Sequence, residues 1–413
     1  MLIELPQEPM TSSSAQGPGG GSGPGMGDGH LTGIQLSAQK GPLIMNTLYG
    51  NRLSGGDRDG AIGQYGDPRI NTESAVMNAL RWLKKNQNSD GSWDGKSGGS
   101  SGSAPDAAMT GWAVLAYLAH GETPTSEEFG PTVEKAIKHL VAIRDAAGGW
   151  PRSYQHAIAT YAICEAYGMT RIPMLKDAAM KAIDIIIQGQ NPKGGWRYTL
   201  TPADDSDTSC MGWCAQALKA ADLARVGHER LESSMRQAVK GFKGNASPAG
   251  GFGYTAPGEG GLSGVGVLCM QMLGAGREPE VRQGIAWLDR ATCEWAKPWL
   301  GYPLYYWYYT TQAKFHAGGD IWNAWNRQFS PELMKSQIVI KKAIQGMDGQ
   351  MKDIGYWEAP GKGEAAHGLV YNTALCCLML EVYYRNLPTY QPQQDKTADD
   401  MLTSVNLKID VVN

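Results

Sequence analysis

Apolar residues recur along most of the chain with the period of amphipathic helices. The first such helix begins near Asn71, where Val76, Leu80 and Leu83 share one face and Asn71 or Thr72 is suited to cap the start. A turn containing glycine and an aromatic residue ends this helix, and a second helix rich in small and apolar residues follows. Because the second helix is apolar on all sides, we expect it to be buried, whereas the more charged first helix faces water.

This pair of helices recurs along the chain. The aromatic residues of the turns are Trp93, Trp150, Trp196, Phe252 and Trp357. The longest gap between them predicts one further turn near Trp299, so that six units of about 52 residues fill residues 74–390. Strand signals are weak throughout. Six pairs can bury every inner helix only by closing into a ring of twelve, and the sequence therefore predicts an all-α fold, an (α/α)6 toroid of six helix hairpins.

The two ends of the chain differ from this repeat in composition. Residues 11–29 are rich in Gly, Pro and Ser and have almost nothing to bury. We therefore predict a flexible, low-complexity segment at 1–70, the toroid at 71–390 and a C-terminal tail at 391–413. A linker normally joins two domains, which suggests that an upstream anchor or domain precedes this chain and leaves open whether Met1 is the native start.

Charge and composition exclude several classes of protein. The net charge of -3 argues against a nucleic-acid partner held by a basic surface. No apolar run reaches the roughly 18 residues of a membrane span, and no signal peptide is recognisable, so the compartment stays open. Aromatic residues are skewed towards those with polar tips, because 18 Tyr and 13 Trp accompany only 5 Phe.

Two of the turns carry a longer motif. QNSDGSW at 87–93 and QNPKGGW at 190–196 fit the Q-x-x-x-G-x-W repeat of squalene and oxidosqualene cyclases. This part of the chain therefore resembles the terpenoid cyclase and protein prenyltransferase superfamily, and the resemblance implies an isoprenoid ligand in the central cavity. Within the motif, we expect the glycines, Trp and Gln to have structural roles in the turn and in contacts with the next unit.

The starts of the inner helices are the predicted site. Asp106 precedes a Gly-Trp pair by five residues, and Asp207 precedes another by the same number. The same register gives Gln155, Gly261, Tyr305 and His367 in the other units, so these positions are expected to line one rim. The residues expected to contact a ligand are Asp106, Gln155, His156, Tyr305, Tyr309, His367, Trp112 and Trp213.

Three carboxylates are candidates for catalysis. Asp204, Asp205 and Asp207 resemble the D-x-D-D-T motif of proton-initiated cyclases, in which a buried carboxylic acid protonates an alkene or epoxide. Ser206 stands where that family has the proton-donating Asp, and a hydroxyl is too weak an acid for the reaction. The alternative role for Asp207 is to cap the helix that follows it.

A zinc site is the less favoured alternative. The resemblance to protein prenyltransferases implies zinc held by Asp, Cys and His, together with a partner subunit. Here Cys210 follows Asp207 at the third position instead of the second, and His367 lies three units away, which leaves Asp106 as its nearer partner. We therefore predict no cofactor and no metal, and we expect the cysteines in the inner helices to be buried.

These observations favour a single toroid that binds an apolar, isoprenoid ligand, with cyclase or transferase activity if the site is active. A non-catalytic binding toroid is one alternative, because every catalytic signature is incomplete. A glycan-active (α/α)6 enzyme is another, because Tyr and Trp outnumber Phe. Such enzymes need a pair of carboxylates roughly 5–10 Å apart, for which Asp106 and Asp207 are the candidates.

Overall fold

A computed structural model describes residues 49–52, 54–66, 70–102, 106–298 and 300–385. The predicted C-terminal tail, most of the predicted N-terminal segment and the turn at Trp299 lie outside these residues. In chain order the helices are α1 (Gly55–Tyr65), α2 (Thr72–Lys85), α3 (Asp106–Ala119), α4 (Gly130–Ala142), α5 (Ser153–Thr170), α6 (Pro173–Gln188), α7 (Thr208–Leu223), α8 (Leu231–Gly244), α9 (Ser263–Met272), α10 (Pro279–Leu288), α11 (Pro303–Ala317), α12 (Gly319–Ser336), α13 (Lys362–Ala365), α14 (Leu369–Leu380) and α15 (Val382–Arg385).

Twelve of these helices form two concentric rings. The inner helices are α3, α5, α7, α9, α11 and α14, and nearly every residue in them is buried. Each inner helix contacts the next around the ring, and α14 packs against α3 to close it. The outer helices α2, α4, α6, α8, α10 and α12 bury one face each against the inner ring, as their amphipathic pattern requires. The predicted (α/α)6 toroid is confirmed.

Glycines allow the turns to pack closely on the neighbouring unit. The first glycine of four turns has a positive φ, at 92°, 92°, 95° and 104° in Gly91, Gly148, Gly194 and Gly250. A Cβ atom on Gly194 would lie 1.9 Å from the carbonyl oxygen of Gln237 in α8, and one on Gly91 would lie 2.5 Å from that of Lys135 in α4. These turns therefore require glycine both for the backbone conformation and for the close approach of the next outer helix.

The Trp and Gln residues of the turns bind backbone carbonyls. Trp196 Nε1 donates to Ile186 O at 2.7 Å in the preceding helix, and Gln190 Nε2 donates to Ser234 O at 3.0 Å in the next outer helix. The equivalent donor and acceptor pairs elsewhere are Trp93–Leu83, Trp150–Leu140, Trp357–Leu333 and Gln87–Thr132. These contacts tie consecutive units together and agree with a structural role for the motif.

One hairpin interrupts the all-α pattern. Strands β1 (Ile338–Gln345) and β2 (Met351–Tyr356) pair antiparallel between α12 and α13, within the part of the chain expected to lack a sheet. The hairpin lies outside the ring against α2, where Tyr356 stacks on Trp82 with ring centroids 5.5 Å apart. It therefore leaves the ring closed.

The hairpin has sequence signals that the helical interpretation overlooked. Residues 338–340 are three consecutive β-branched residues, which favour a strand. Asp348-Gly349 is a common hairpin turn, and Gly349 has a φ of 75°. The expectation of a helix-only sixth unit was wrong here because the spacing of Gly355 and Trp357 fits the turn of the repeat, whereas Gly355 lies within β2.

The mouth of the ring at which the inner helices end is covered by both ends of the described chain. Residues 55–65, which composition placed in the flexible segment, form α1 instead. Just before it, Arg52 Nη1 lies 3.1 Å from Glu165 Oε2, and Arg52 Nη2 donates to Arg385 O at 2.7 Å. Arg385 Nη2 in turn donates to the hydroxyl of Tyr161 at 2.9 Å. Among the described residues, no helix is both long and apolar enough to cross a membrane.

Candidate functional site at the amino-terminal mouth of the ring

The predicted rim residues share one mouth of the ring, the one at which the inner helices begin, hereafter the amino-terminal mouth. Asp106 is the first residue of α3, and Asp207 is the N-cap of α7. The other positions lie within three residues of a helix start, at Gln155, Gly261, Tyr305 and His367. The alignment on helix starts therefore placed these residues at the same end of the ring, although their side chains differ in burial and in contacts.

Aromatic side chains from four of the six units meet at the centre of the ring. The aromatic cluster consists of Trp112, Trp213, Tyr305, Tyr309 and Tyr371. Ring centroids of Trp112 and Trp213 lie 5.7 Å apart, those of Trp213 and Tyr309 also 5.7 Å, and those of Trp112 and Tyr371 4.9 Å. The centre is thus filled at this level by the chain's own side chains, in contrast to the expected central cavity.

Only the edge of the aromatic cluster reaches solvent. Trp213 and Tyr309 are fully buried, whereas Trp112 and Tyr305 are 6% and 5% exposed. The hydroxyl of Tyr309 accepts a hydrogen bond from Gln216 Nε2 at 2.9 Å, and that of Tyr305 is buried beside Tyr309. The accessible part of the cluster is therefore a small area of Trp112 and Tyr305.

Asp207 is fully buried beside this cluster. Its Oδ1 accepts from the backbone N–H groups of Ser209 at 2.8 Å and Cys210 at 3.2 Å, and also from the hydroxyl of Ser209. The predicted capping role is thus confirmed. Its Oδ2 is buried with no hydrogen-bond partner. A buried acceptor without a partner is costly, and Tyr254 is a phenol that interacts with this carboxylate.

Tyrosines surround the carboxylate of Asp207 on its solvent side. Tyr154 donates to Ser209 Oγ at 2.5 Å, and the hydroxyls of Tyr198 and Tyr254 lie 2.6 Å apart. The rings of Tyr154 and Tyr198 stack with centroids 5.7 Å apart, and both are partly exposed. Burial raises the pKa of the Tyr198 phenol, and the nearby charge of Asp207 raises it further. These phenols are therefore hydrogen-bonding groups and not bases.

The other acidic residues of the DDSD segment are on the surface. Asp204 and Asp205 are exposed, and Asp205 Oδ2 lies 2.8 Å from Arg197 Nη1. Ser206 is buried within the glycine-aromatic turn, where its Oγ accepts from Asn191 Nδ2 at 3.1 Å. The structure therefore separates Asp207 from Asp204 and Asp205, which have no place in the buried site.

Asp106 has a different neighbour from the one expected. Its Oδ2 lies 3.2 Å from His139 Nε2, and this hydrogen bond lowers the pKa of Asp106. His139 Nδ1 lies 3.5 Å from Asp90 Oδ2, which comes from the first motif. Asp106 is thus held by α4 and not by His367. In the described part of the chain, no group of three or more His, Cys, Asp or Glu residues could hold a metal ion.

His156 is part of the framework. Its Nδ1 accepts from the backbone N–H of Trp150 at 3.2 Å, and its Nε2 donates to Ala182 O at 2.8 Å. Burial lowers the pKa of His156 to about 4, so the ring is neutral and both nitrogens are occupied. Gln155 beside it is half-buried. We conclude that His156 supports the turn and does not meet a ligand.

Glu364 is a buried acid that the sequence did not single out. It is fully buried on α13, and its Oε1 accepts from the backbone N–H groups of Leu304 at 2.5 Å and Tyr305 at 3.1 Å. Its Oε2 is buried without a partner, and burial raises the pKa of Glu364 to about 8. An isolated Glu in a loop has no pattern that reveals such burial, which only the tertiary structure creates.

His367 follows Glu364 by three residues at the same mouth. Its ring lies 4.8 Å from that of Tyr371 and 6.2 Å from that of Tyr302, and burial lowers its pKa. His367 is therefore neutral at physiological pH and packs against the aromatic cluster. All seven cysteines of the chain are buried, and burial raises the pKa of Cys210 and Cys214 above the ordinary value, as expected for inert thiols.

Comparison with known proteins agrees with the fold. The alpha-1,6-mannanase GH76A from Salegentibacter sp. HEL1_6 is 9% identical over 76% of this chain and 99% of its own, with a TM-score of 0.56. Cellobiose 2-epimerase from Spirochaeta thermophila DSM 6192 is 14% identical over 76% and 95%, with a TM-score of 0.53. A type II terpene cyclase from Scytonema is 13% identical over 76% and 96%, with a TM-score of 0.48. The likenesses to the mannanase and the epimerase show the fold alone.

The sequence comparison matches a shorter part of the chain than the structural comparison does. No curated protein matches the sequence significantly. Residues 60–160 match the family model of the squalene-hopene cyclase C-terminal domain, a stretch that includes the first of the two complete repeat motifs. The resemblance inferred from the repeats is therefore confirmed over this stretch, and the chain is a helical toroid that is similar there to the squalene-hopene cyclase C-terminal domain.

Proposed function

We propose that the chain binds an apolar, isoprenoid ligand at the amino-terminal mouth, against the exposed edge of the aromatic cluster. The observation that carries this proposal is the meeting of that cluster with two fully buried carboxyl groups, Asp207 and Glu364, each of which has one oxygen without a partner. The match to squalene-hopene cyclase over residues 60–160 supports the choice of an isoprenoid.

The cluster suits a ligand that carries or develops positive charge. The faces of Trp and Tyr rings attract cations, and this attraction strengthens where water is excluded. Trp112 and Tyr305 present the accessible ring surface, and Tyr371 packs behind Trp112. A hydrocarbon chain placed there is stabilised by burial of its apolar area. A cationic centre on that chain is stabilised further by attraction to the aromatic faces.

Glu364 is the acid in this proposal. With a pKa of about 8, its carboxyl group is mostly protonated at neutral pH. Because Oε1 accepts two backbone N–H bonds, the proton resides on the unpartnered Oε2. Transfer of that proton to an alkene forms a C–H bond and a carbocation, and the two N–H donors stabilise the carboxylate left on Glu364. Glu364 thereby supplies the proton that Ser206 cannot.

Asp207 has a supporting role. Tyr305 joins the two carboxyl groups, because its backbone N–H binds Glu364 while the charge of Asp207 raises the pKa of its buried hydroxyl beyond the effect of burial itself. In this proposal the unpartnered Oδ2 of Asp207 accepts a hydrogen bond from the ligand. The cap formed by its Oδ1 keeps the carboxylate in place.

Binding and turnover test the proposal separately. We would measure quenching of tryptophan fluorescence by geranylgeraniol, with a saturated alcohol of equal length as the comparison ligand, and analyse products by mass spectrometry. Trp112→Ala should weaken binding about tenfold or more, since it removes much of the accessible ring surface. Glu364→Gln should keep binding and abolish product, whereas Asp205→Asn, on the surface, should change neither. A folded protein that binds no isoprenoid would refute the proposal.

A glycan ligand is the second candidate, favoured by one observation. The stacked and partly exposed Tyr154 and Tyr198 lie at the same mouth, and aromatic faces of this kind also bind sugar rings. Calorimetry with manno- and cello-oligosaccharides tests it. Oligosaccharide binding that Tyr198→Ala removes would favour a glycan ligand. Isoprenoid binding with no product from the parent protein would favour the non-catalytic toroid.

A further inference from the structure

Two indole N–H groups of the aromatic cluster have no acceptor. Trp112 Nε1 and Trp213 Nε1 are both buried without a hydrogen-bond partner. An indole nitrogen can only donate, so the missing partner is an acceptor. A buried donor that has lost its water without gaining an acceptor destabilises the folded chain, and a ligand that supplies the acceptor removes this penalty.

Other buried indoles of this fold have acceptors. Trp112 and Trp213 differ in this respect from seven Trp residues of the described chain that donate their indole N–H to a backbone carbonyl or a hydroxyl, namely Trp93, Trp150, Trp196, Trp307, Trp322, Trp325 and Trp357. Because those seven have framework partners, the two donors without one at the centre of the ring are a local feature of the aromatic cluster.

The neighbours of the two indoles within the cluster are aromatic faces and edges. Trp112 meets Trp213 and Tyr371 edge to face, and Trp213 meets Tyr309 in the same way. An N–H group directed at an aromatic face forms a weaker contact than an N–H group bound to oxygen. The hydroxyl of Tyr309 already accepts from Gln216 Nε2. The cluster therefore leaves both donors without an oxygen.

The charge beside the cluster limits the kind of acceptor. The charge of Asp207 acts on Tyr305, and the carboxyl group of Glu364 binds the backbone N–H of the same residue. An anionic group placed against the cluster would be repelled by Asp207 in surroundings that contain little water. An uncharged oxygen, as in a hydroxyl, ether or carbonyl group, accepts the two N–H bonds without this repulsion.

We propose that the ligand carries an uncharged oxygen that accepts hydrogen bonds from the indole N–H groups of Trp112 and Trp213. The inference rests on the proposed function, because it assigns the polar group of the isoprenoid bound at the same mouth. Trp112 is 6% exposed and Trp213 is fully buried. The oxygen must therefore displace the exposed edge of the cluster to reach Trp213. The ligand class is an oxygenated isoprenoid and not a plain hydrocarbon.

Equilibrium dialysis of the full chain tests this with two matched ligands. Geranylgeranyl methyl ether has an oxygen that only accepts, and the matched hydrocarbon has a methylene group in its place. Trp112→Phe and Trp213→Phe each keep an aromatic ring and remove the N–H, so each should weaken binding of the ether about tenfold and leave the hydrocarbon unchanged. Trp325→Phe removes an N–H that already donates to Thr311 and should change neither.

Nuclear magnetic resonance of the parent protein tests the same contact without a substitution. With isotope-labelled tryptophan, the ether should shift two indole proton resonances downfield, as new hydrogen bonds to oxygen do, and the hydrocarbon should shift neither in that direction. Equal changes in affinity for ether and hydrocarbon in both Phe variants, or no downfield shift when the ether binds, would overturn the inference. A folded parent that binds neither ligand would refute the proposed function, and the inference with it.

Discussion

Replacing Glu364 with Gln should change how stability depends on pH. The carboxyl group has a reference pKa of 4.5 and a pKa of about 8 when buried in the folded chain. Between these values the unfolded chain ionises this group while the folded chain keeps it protonated, so folding loses stability as pH rises. Each pH unit above 4.5 lowers the free energy of unfolding by about 1.4 kcal/mol, so that by pH 7 this group has lowered it by about 3 kcal/mol.

The variant Glu364→Gln does not titrate, yet its amide oxygen still accepts the N–H groups of Leu304 and Tyr305. Its free energy of unfolding, measured in urea at pH 4 and pH 7, should therefore improve relative to the parent by about 3 kcal/mol between the two pH values. Glu127→Gln, at an exposed position, controls for the substitution itself. An equal difference at both pH values would show that Glu364 is ionised in the folded protein, and the proton-donor role would be lost.

Three further predictions concern the framework. Gly194→Ala should lower the free energy of unfolding by about 3 kcal/mol or more, because a Cβ atom there meets a backbone oxygen at 1.9 Å and φ is 95°. Gly244→Ala, at the open end of α8, should not lower stability. Thermal unfolding of the two variants makes the comparison. Asp207→Ala should lower stability by about 1–2 kcal/mol through loss of the cap, which Asp205→Ala should not, as denaturant titration would show. Burial lowers the pKa of His120, yet the hydrogen bonds that its ring donates to Glu122 and Glu73 raise the pKa to about 9. The stability that His120 contributes is therefore complete below pH 6.5 and should fade towards pH 9. If the difference in free energy of unfolding between His120→Gln and the parent does not change from pH 6.5 to pH 9, the prediction for His120 is contradicted.

The ring was predictable because its signals are local and repeated. Helical periodicity identified the amphipathic outer helices and the apolar inner ones, and the turns with glycine and an aromatic residue marked where each unit ends. Asp207 could be identified as a cap because the residue type, its position and the helix after it all lie within a few residues.

The remainder depended on contacts between distant parts of the chain. Glu364 owes its raised pKa to burial against α11, some sixty residues earlier, although the backbone N–H groups of that helix lower the pKa in part. His139 of α4 likewise meets Asp106 at the start of α3. The hairpin was missed because Gly355 and Trp357 fit the turn of the helical repeat, although residues 338–340 favour a strand. Nor did the spacing of Trp112 and Trp213 show that their rings would touch across the ring axis.

The packing of α14 against α3 has a consequence for biosynthesis. The two helices are the last and the first of the inner layer, separated by about 250 residues of sequence. During translation the flank of α3 that α14 will cover stays exposed until the ribosome has released residues near 380. A nascent chain of this architecture thus exposes an aggregation-prone apolar surface for most of its synthesis. A gene rearranged to start within another inter-unit loop would move that vulnerable flank without altering the finished ring.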